Sequence, residues 1–261
     1  MGILNVTPDS FAGGGRHLDP MRALDHARQM IADGAAIIDI GGESTRPGAN
    51  PVSEADELER VIPLVAALSG EGALVSIDTM KPAVMRAAIS AGASMVNDVR
   101  ALQTRGALET VAASNAAVCL MHMQGQPRTM QAEPHYEDVV REVRDFLVER
   151  ALTCEAAGIA RDRIVVDPGF GFGKTMAHNL ELLRSLSVLK QTGYPVLAGL
   201  SRKATIGRIT GRDVGERMAG SVAAALAAVA RGAAIVRVHD VRETVDALNV
   251  WCAINNANSP S

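Results

Sequence analysis

The sequence predicts an α/β protein, a single-domain (β/α)8 barrel of the TIM type with long, mobile βα loops at its C-terminal face. Three observations carry that prediction. Eight short apolar runs recur along the 261 residues, each closing on polar residues that packing does not call for. Helical patterns alternate with them throughout, and the long connections follow strands while the returns from helix to strand are short. Parallel strands buried on both faces read as continuous apolar runs, and in a barrel their C-terminal ends converge on one polar surface.

In order, the strand ends read Ile3-Leu4-Asn5, Ile38-Asp39, Val75-Ser76-Ile77-Asp78, Met95-Val96-Asn97-Asp98, Leu120-Met121-His122, Val165-Val166-Asp167, Leu200-Ser201-Arg202-Lys203 and Val236-Arg237-Val238-His239. Helices are predicted between them at 20–33, 54–69, 81–91, 106–114, 137–157, 178–190, 214–231 and 240–255. Gly34, Gly92 and Gly232 each stand between a helix and the next strand, where a left-handed residue lets the chain reverse. The long connections are Thr7 to Asp19, Gly41 to Ser53, Met123 to Glu137 and Pro168 to Ala177. Loops of this kind, held by a rigid scaffold, commonly carry binding residues. One domain is expected over 1–254, with a polar tail at 255–261.

Composition narrows the function. The chain is 48% hydrophobic but only 3% aromatic, so Ala, Val, Leu, Ile and Met must fill the core. A net charge of −3 gives no basic footprint, and nucleic acid is excluded as a partner. No segment is apolar for long enough to cross a bilayer. The start of the sequence reads as a strand without a basic leader or cleavage site, and a cytoplasmic location is expected. Cys119, Cys154 and Cys252 are far apart with no CxxC spacing, so buried free thiols are expected.

Asp78, Asn97 and Asp167 each close a strand run and in a barrel would point inward from three strands. Carboxylates that accept two coplanar hydrogen bonds, and an amide that donates and accepts, suit a planar heterocycle bearing adjacent N–H and NH2 donors. Each taken alone fits a structural hydrogen bond equally well. The alternation Arg237-Val238-His239 puts a guanidinium and an imidazole on one face, which with the hydroxyls of Ser44 and Thr45 suits an anion. Arg202 and Arg208 read as surface salt bridges. The segment Asp167-Pro168-Gly169-Phe170-Gly171-Phe172-Gly173-Lys174 looks superficially like a phosphate loop but is one residue short of the GxxxxGK[ST] spacing. Its glycines are better read as a tight loop exposing Phe172. The histidines lack zinc-ligand spacing.

Several of these segments are long and rare: Met1 to Phe11 (MGILNVTPDSF), Gly42 to Gly48 (GESTRPG), Ser76-Ile77-Asp78-Thr79, Asn97-Asp98, Asp167 to Lys174, Ser201-Arg202-Lys203 and Arg237-Val238-His239-Asp240. Together they resemble the bacterial dihydropteroate synthase family, a pterin-binding barrel family, from Met1 to about Val250. The resemblance implies the condensation of 6-hydroxymethyl-7,8-dihydropterin pyrophosphate with para-aminobenzoate to give 7,8-dihydropteroate and pyrophosphate, in a family inhibited by sulfonamides. It implies a pterin site of Asp78, Asn97, Met121, Asp167 and Lys203, and a pyrophosphate site of Asn5, Thr45, Arg46, Arg237 and His239. Phe11, Thr45, Pro47, Phe172, Lys203 and Ala204 would line the aminobenzoate slot. Mg2+ would bridge the pyrophosphate and Asn5, with Lys203, Arg237 and His239 as catalytic residues. A homodimer is expected, and the Ala-rich helix 214–231 is its expected contact.

Three departures from the family pattern stand out. The family's hairpin ahead of the first strand is not in this sequence, Gly13 stands where an Asp is common, and Ala204 replaces the Ser that follows the SRK motif. Weaker aminobenzoate binding is expected from the last two. Two rival readings are a pterin-binding methyltransferase domain that handles methyltetrahydrofolate and a non-catalytic pterin-binding protein. The first needs no pyrophosphate site, and the second would have lost site residues.

Overall fold

The computed structural model describes residues 1–7, 20–44, 51–125, 130 and 133–255. Eight strands alternate with helices along the chain: β1 (Gly2–Asn5), α1 (Pro20–Ala32), β2 (Ile38–Gly41), α2 (Glu54–Gly70), β3 (Val75–Asp78), α3 (Pro82–Ser90), β4 (Met95–Asp98), α4 (Ala107–Ala112), β5 (Ala117–Met121), α5 (Val139–Ala156), β6 (Ile164–Asp167), α6 (Met176–Arg184), α7 (Leu186–Lys190), β7 (Val196–Ala198), α8 (Ala204–Thr210), α9 (Met218–Val229), β8 (Ala233–Val236) and α10 (Val241–Asn255). All strands are parallel and lie in one sheet in chain order, β1 to β8. Beyond β8, Val238 pairs with Gly2; its carbonyl accepts from Ile3 N–H at 3.0 Å and its N–H donates to Met1 O at 3.0 Å.

Gly34, Gly92 and Gly232 adopt φ of 97°, 108° and 100°, the left-handed turn expected after each helix. The helices differ from the prediction in three places. The span 178–190 breaks at Ser185, whose backbone (φ −100°, ψ 17°) ends α6 and begins α7. Helix α8 has no counterpart in the sequence reading: seven residues with a central Gly207 give no amphipathic stripe. The span 214–231 opens with a 3-10 turn, Val214–Glu216, before α9. Of the expected tail, Asn255 ends α10 and 256–261 lie outside the described residues.

Period-two alternation divides each strand between two cores. Leu4, Ile38, Ile40, Val75, Ile77, Val96, Val118, Leu120, Ile164 and Val166 face the helices in the main core. Met95, Cys119, Val165 and Leu197 form a small second cluster with Ile235 on the other face. One step along each strand from that cluster, the same face turns polar at Asn97 and Asp167, and the corresponding positions on β1 and β3 are Asn5 and Asp78. Asp39 is a correction to the reading: it is the second residue of β2 rather than its end, and it is fully buried. The cysteines are free, as expected, and Cys119 and Cys154 are buried, but Cys252 is exposed on α10. No helix among the described residues is long and apolar enough to cross a membrane.

Candidate active site

The polar layer is a connected network. Arg237, just past β8, donates from Nε to Asp39 Oδ2 at 2.5 Å and from Nη2 to Asp78 Oδ2 at 2.7 Å. Asn97 Nδ2 donates to the same Asp39 oxygen at 3.1 Å. Gly41 lies between Asn5 and Asp78: a Cβ there would stand 3.6 Å from Asp78 Cβ and 3.9 Å from Asn5 Oδ1. A side chain at 41 would thus begin to fill the space these two residues share.

On the other side, Asp167 accepts the Gly169 N–H at 2.7 Å, and Met121 is its register partner on β5. Lys203, the N-cap of α8, donates from Nζ to the Phe170 carbonyl and lies 4.8 Å from the centre of the Phe172 ring. A Cβ on Gly169 would meet the His122 carbonyl oxygen at 2.0 Å and one on Gly173 the Gln124 carbonyl oxygen at 2.5 Å, so only glycine lets this loop lie against the end of β5.

Burial governs the charges. It raises the Asp78 carboxyl to about 7, with Arg237 pulling the other way and Asp39 adding repulsion. It raises Asp167 as well, against Lys203 and the Gly169 N–H. It lowers Lys203 to about 8, although Asp167 favours the charged form. Burial also opposes the charge on Arg237, but Asp39 and Asp78 outweigh it and hold the guanidinium above its ordinary value. The site therefore keeps carboxylates in a poor medium for charge, and donor-rich ligands relieve that cost.

His239 sits on Ser201: its N–H donates to Ser201 Oγ at 3.2 Å, and its Nδ1 is 3.0 Å from the same oxygen. The Ser201 hydroxyl thus anchors both the backbone and the ring of His239 beside the end of β8. Arg202 is more than a surface pair. It bonds Asp240 through Nε and Nη2, its N–H donates to Ser221 Oγ at 2.9 Å, and its φ is 57°.

A family model described as pterin binding enzyme matches residues 1–239. Dihydropteroate synthase of Haemophilus influenzae is 52% identical over 258 residues, covering 98% of this chain and 94% of that one. The chain belongs to the dihydropteroate synthase family. A structure of the Yersinia pestis dihydropteroate synthase with a sulfonamide drug complex superposes with a TM-score of 0.93 at 50% identity, covering 98% of this chain and 93% of that one. That of Burkholderia cenocepacia dihydropteroate synthase, complexed with 7,8-dihydropteroate, does so at 0.89 and 52%, covering 98% and 91%.

Of the residues that the resemblance to dihydropteroate synthases singles out, Asp78 and Arg237 are in direct contact, and Asn97 joins them through Asp39. Lys203, Phe172 and Asp167 gather around the loop after β6. Asn5 and Met121 lie at the strand ends expected of them, and Ala204 is the exposed first residue of α8. Phe11, Thr45, Arg46 and Pro47 lie outside the described residues. Asp39 is the residue the sequence reading passed over as a site member. A carboxylate inside an otherwise apolar strand, Ile38-Asp39-Ile40, was the available signal, since such a group is buried only with partners.

The donor set also bears on Mg2+. Among the described residues no three His, Cys, Asp or Glu side chains gather as a metal cage. Asn5 contributes a single amide oxygen, which fits a hard ion that keeps its waters and is held mainly by phosphate oxygens.

Proposed function

We propose that the chain condenses 6-hydroxymethyl-7,8-dihydropterin pyrophosphate with para-aminobenzoate, releasing pyrophosphate and 7,8-dihydropteroate. The observation that carries this reading is the network in which Arg237 bonds Asp78 directly and shares Asp39 with Asn97, in a chain half identical to dihydropteroate synthases. Asp78, Asn97 and Asp167 bind the pterin edge, Met121 packs on the ring, and Lys203 caps it from the loop side. The pterin N–H donors offset the cost of ionised Asp78, whose pKa stands at about 7 without them.

Arg237 and His239 take the leaving diphosphate. The first offers Nη1, since Nε and Nη2 serve Asp39 and Asp78; the second contributes its imidazole ring, held by Ser201. Thr45 and Arg46 add donors from the loop after β2. Mg2+, held by Asn5 and diphosphate oxygens, would supply further charge neutralisation to the leaving group. As the C–O bond breaks in an SN1-like step, the electron-rich pterin spreads the positive charge on its methylene carbon and the neutral arylamine attacks. The donors fixed on the diphosphate are the main catalytic device. Phe11, Pro47 and Phe172 wall the aminobenzoate slot and keep water from the cation.

The sheet is best read as a closed (β/α)8 barrel forming one domain over 1–254, a reading supported by the Ile3–Val238 and Val238–Met1 hydrogen bonds. A homodimer across α9 is supported by exposed Val214 and Met218 and by Val250 and Ile254 on the adjacent α10. A cytoplasmic location is supported by three cysteines that form no disulfide. The test is a coupled assay in which pyrophosphate release must require aminobenzoate and Mg2+ together. Release that ignores aminobenzoate would sink the reading.

A further inference from the structure

Lys174 ends the glycine-rich loop after β6, at the position where a phosphate-binding lysine would stand in a phosphate loop. Its side chain turns the other way. It is 2% exposed, and its Nζ lies 3.0 Å from the carbonyl oxygens of both Gly169 and Phe172, 3.3 Å from that of His122 and 3.0 Å from His122 Nδ1. Burial lowers the Lys174 amino group to about 7, with Asp167 favouring its charged form. Charged or neutral, its N–H bonds are saturated by these four neutral acceptors. Burial, then the nearby ammonium, hold His122 down at about 3, so the ring is neutral and accepts at Nδ1. A phosphate outside the loop is beyond reach of this group.

What the ammonium grips is the frame of the site. Gly169, Gly171 and Gly173 take φ of 66°, 82° and 62°, and the loop they shape folds around Nζ. The Gly169 N–H caps Asp167, the Phe170 carbonyl takes the Lys203 ammonium, and the Phe172 ring lies against the same ammonium. The loop is held from outside by the Tyr136 hydroxyl, which donates to Gly173 O at 2.8 Å, and by Asn179 Oδ1, which accepts the Gly171 N–H at 2.7 Å.

We propose that Lys174 is a positioning residue: its buried Nζ, bonded to three carbonyls and to His122, braces the Gly169–Gly173 loop against the end of β5 and so sets Asp167, Phe172 and Lys203 for both substrates, without touching either. The proposal rests on the function assigned above. It differs from a role in folding alone because the braced groups are the binding groups themselves.

Lys174→Met keeps the side-chain length and removes the amino group with its hydrogen bonds. The expected result is a rise of about ten- to hundredfold in KM for both substrates and in the Kd of 7,8-dihydropteroate measured by calorimetry, the scale of a displaced binding group. At saturation kcat should stay within about threefold, as for lost binding shared by ground and transition states. Amide exchange should quicken in peptides covering 168–174 and not in the strands. If Lys174→Met does not accumulate as folded protein, His122→Phe, which removes the Nδ1 acceptor and keeps a ring against Phe146, should raise the same constants. Unchanged KM and Kd in the folded variant, or a fall in kcat with both KM values intact, would overturn the proposal. A wild-type chain that fails to bind 7,8-dihydropteroate would remove the functional reading itself, and this proposal with it.

Discussion

Arg237 donates its Nε to Asp39 Oδ2 at 2.5 Å, a contact between residues 198 apart in the chain. Asp39 also takes the Asn97 amide, so one carboxylate orients a residue assigned to the pterin and another assigned to the diphosphate. Asp39→Ala leaves Arg237 with Asp78 alone and Asn97 Nδ2 without this acceptor. Breaking a buried charge pair of this kind costs about 3 kcal/mol. Urea unfolding should show that loss, and pyrophosphate release should fall with it; a midpoint equal to wild type would refute the structural role.

Asp78 gives a pH signature. Its folded pKa of about 7 lies above the ordinary carboxylate value. The stability it contributes is therefore fully present below the unfolded pKa near 4 and is lost as pH rises through about 7. Asn does not titrate, so Asp78→Asn should lose pterin binding yet gain in Tm relative to wild type between pH 5 and pH 8. Melting curves whose difference does not grow with pH would contradict this account of the site.

Asp167 should matter to the ligand more than to the fold. A hydrogen bond to a charged group is worth roughly 1.5–3 kcal/mol. Asp167→Asn should weaken 7,8-dihydropteroate binding by about that much in calorimetry, and wild-type affinity would remove Asp167 from the pterin site.

Arg202 holds a left-handed backbone, φ 57°, immediately before Lys203. Its guanidinium bonds Asp240, next to His239, and so ties the two halves of the site. Arg202→Ala and Arg202→Gly both lose that tie, but Gly tolerates the conformation where Ala is strained by about 1 kcal/mol. The Gly variant should melt higher than the Ala variant, and both should show raised KM for the pterin substrate. Equal melting temperatures would mean the turn relaxes.

Chelation should separate activity from stability. With no cage of acidic, thiol or imidazole ligands among the described residues, EDTA should abolish Mg2+-dependent turnover and leave Tm unchanged. A marked fall in Tm would reveal a resident ion.

Local patterns carry much of the strand layout. The strand ends at Asn5, Asp78, Asp98 and Asp167 lie where the apolar runs stop, because period-two alternation is written residue by residue. The long connections after strands were legible for the same reason. Helix α8 was not, since seven residues around Gly207 carry no periodic stripe, and neither was the break at Ser185, which no Gly or Pro announces. Arg202 read as a surface pair because its partners, Asp240 and Ser221, are distant in sequence.

The sequence by itself determined the eight βα units, the polar residues that close the strands, and the family. Tertiary structure decided which of those side chains meet. Asp39 binds Arg237 because the sheet brings the segment beyond β8 back beside β1 and β2, and Lys174 looks inward because its own loop supplies carbonyls that a buried ammonium must find. Both outcomes follow from the cost of leaving a buried charge without partners, a demand that only the assembled interior can meet.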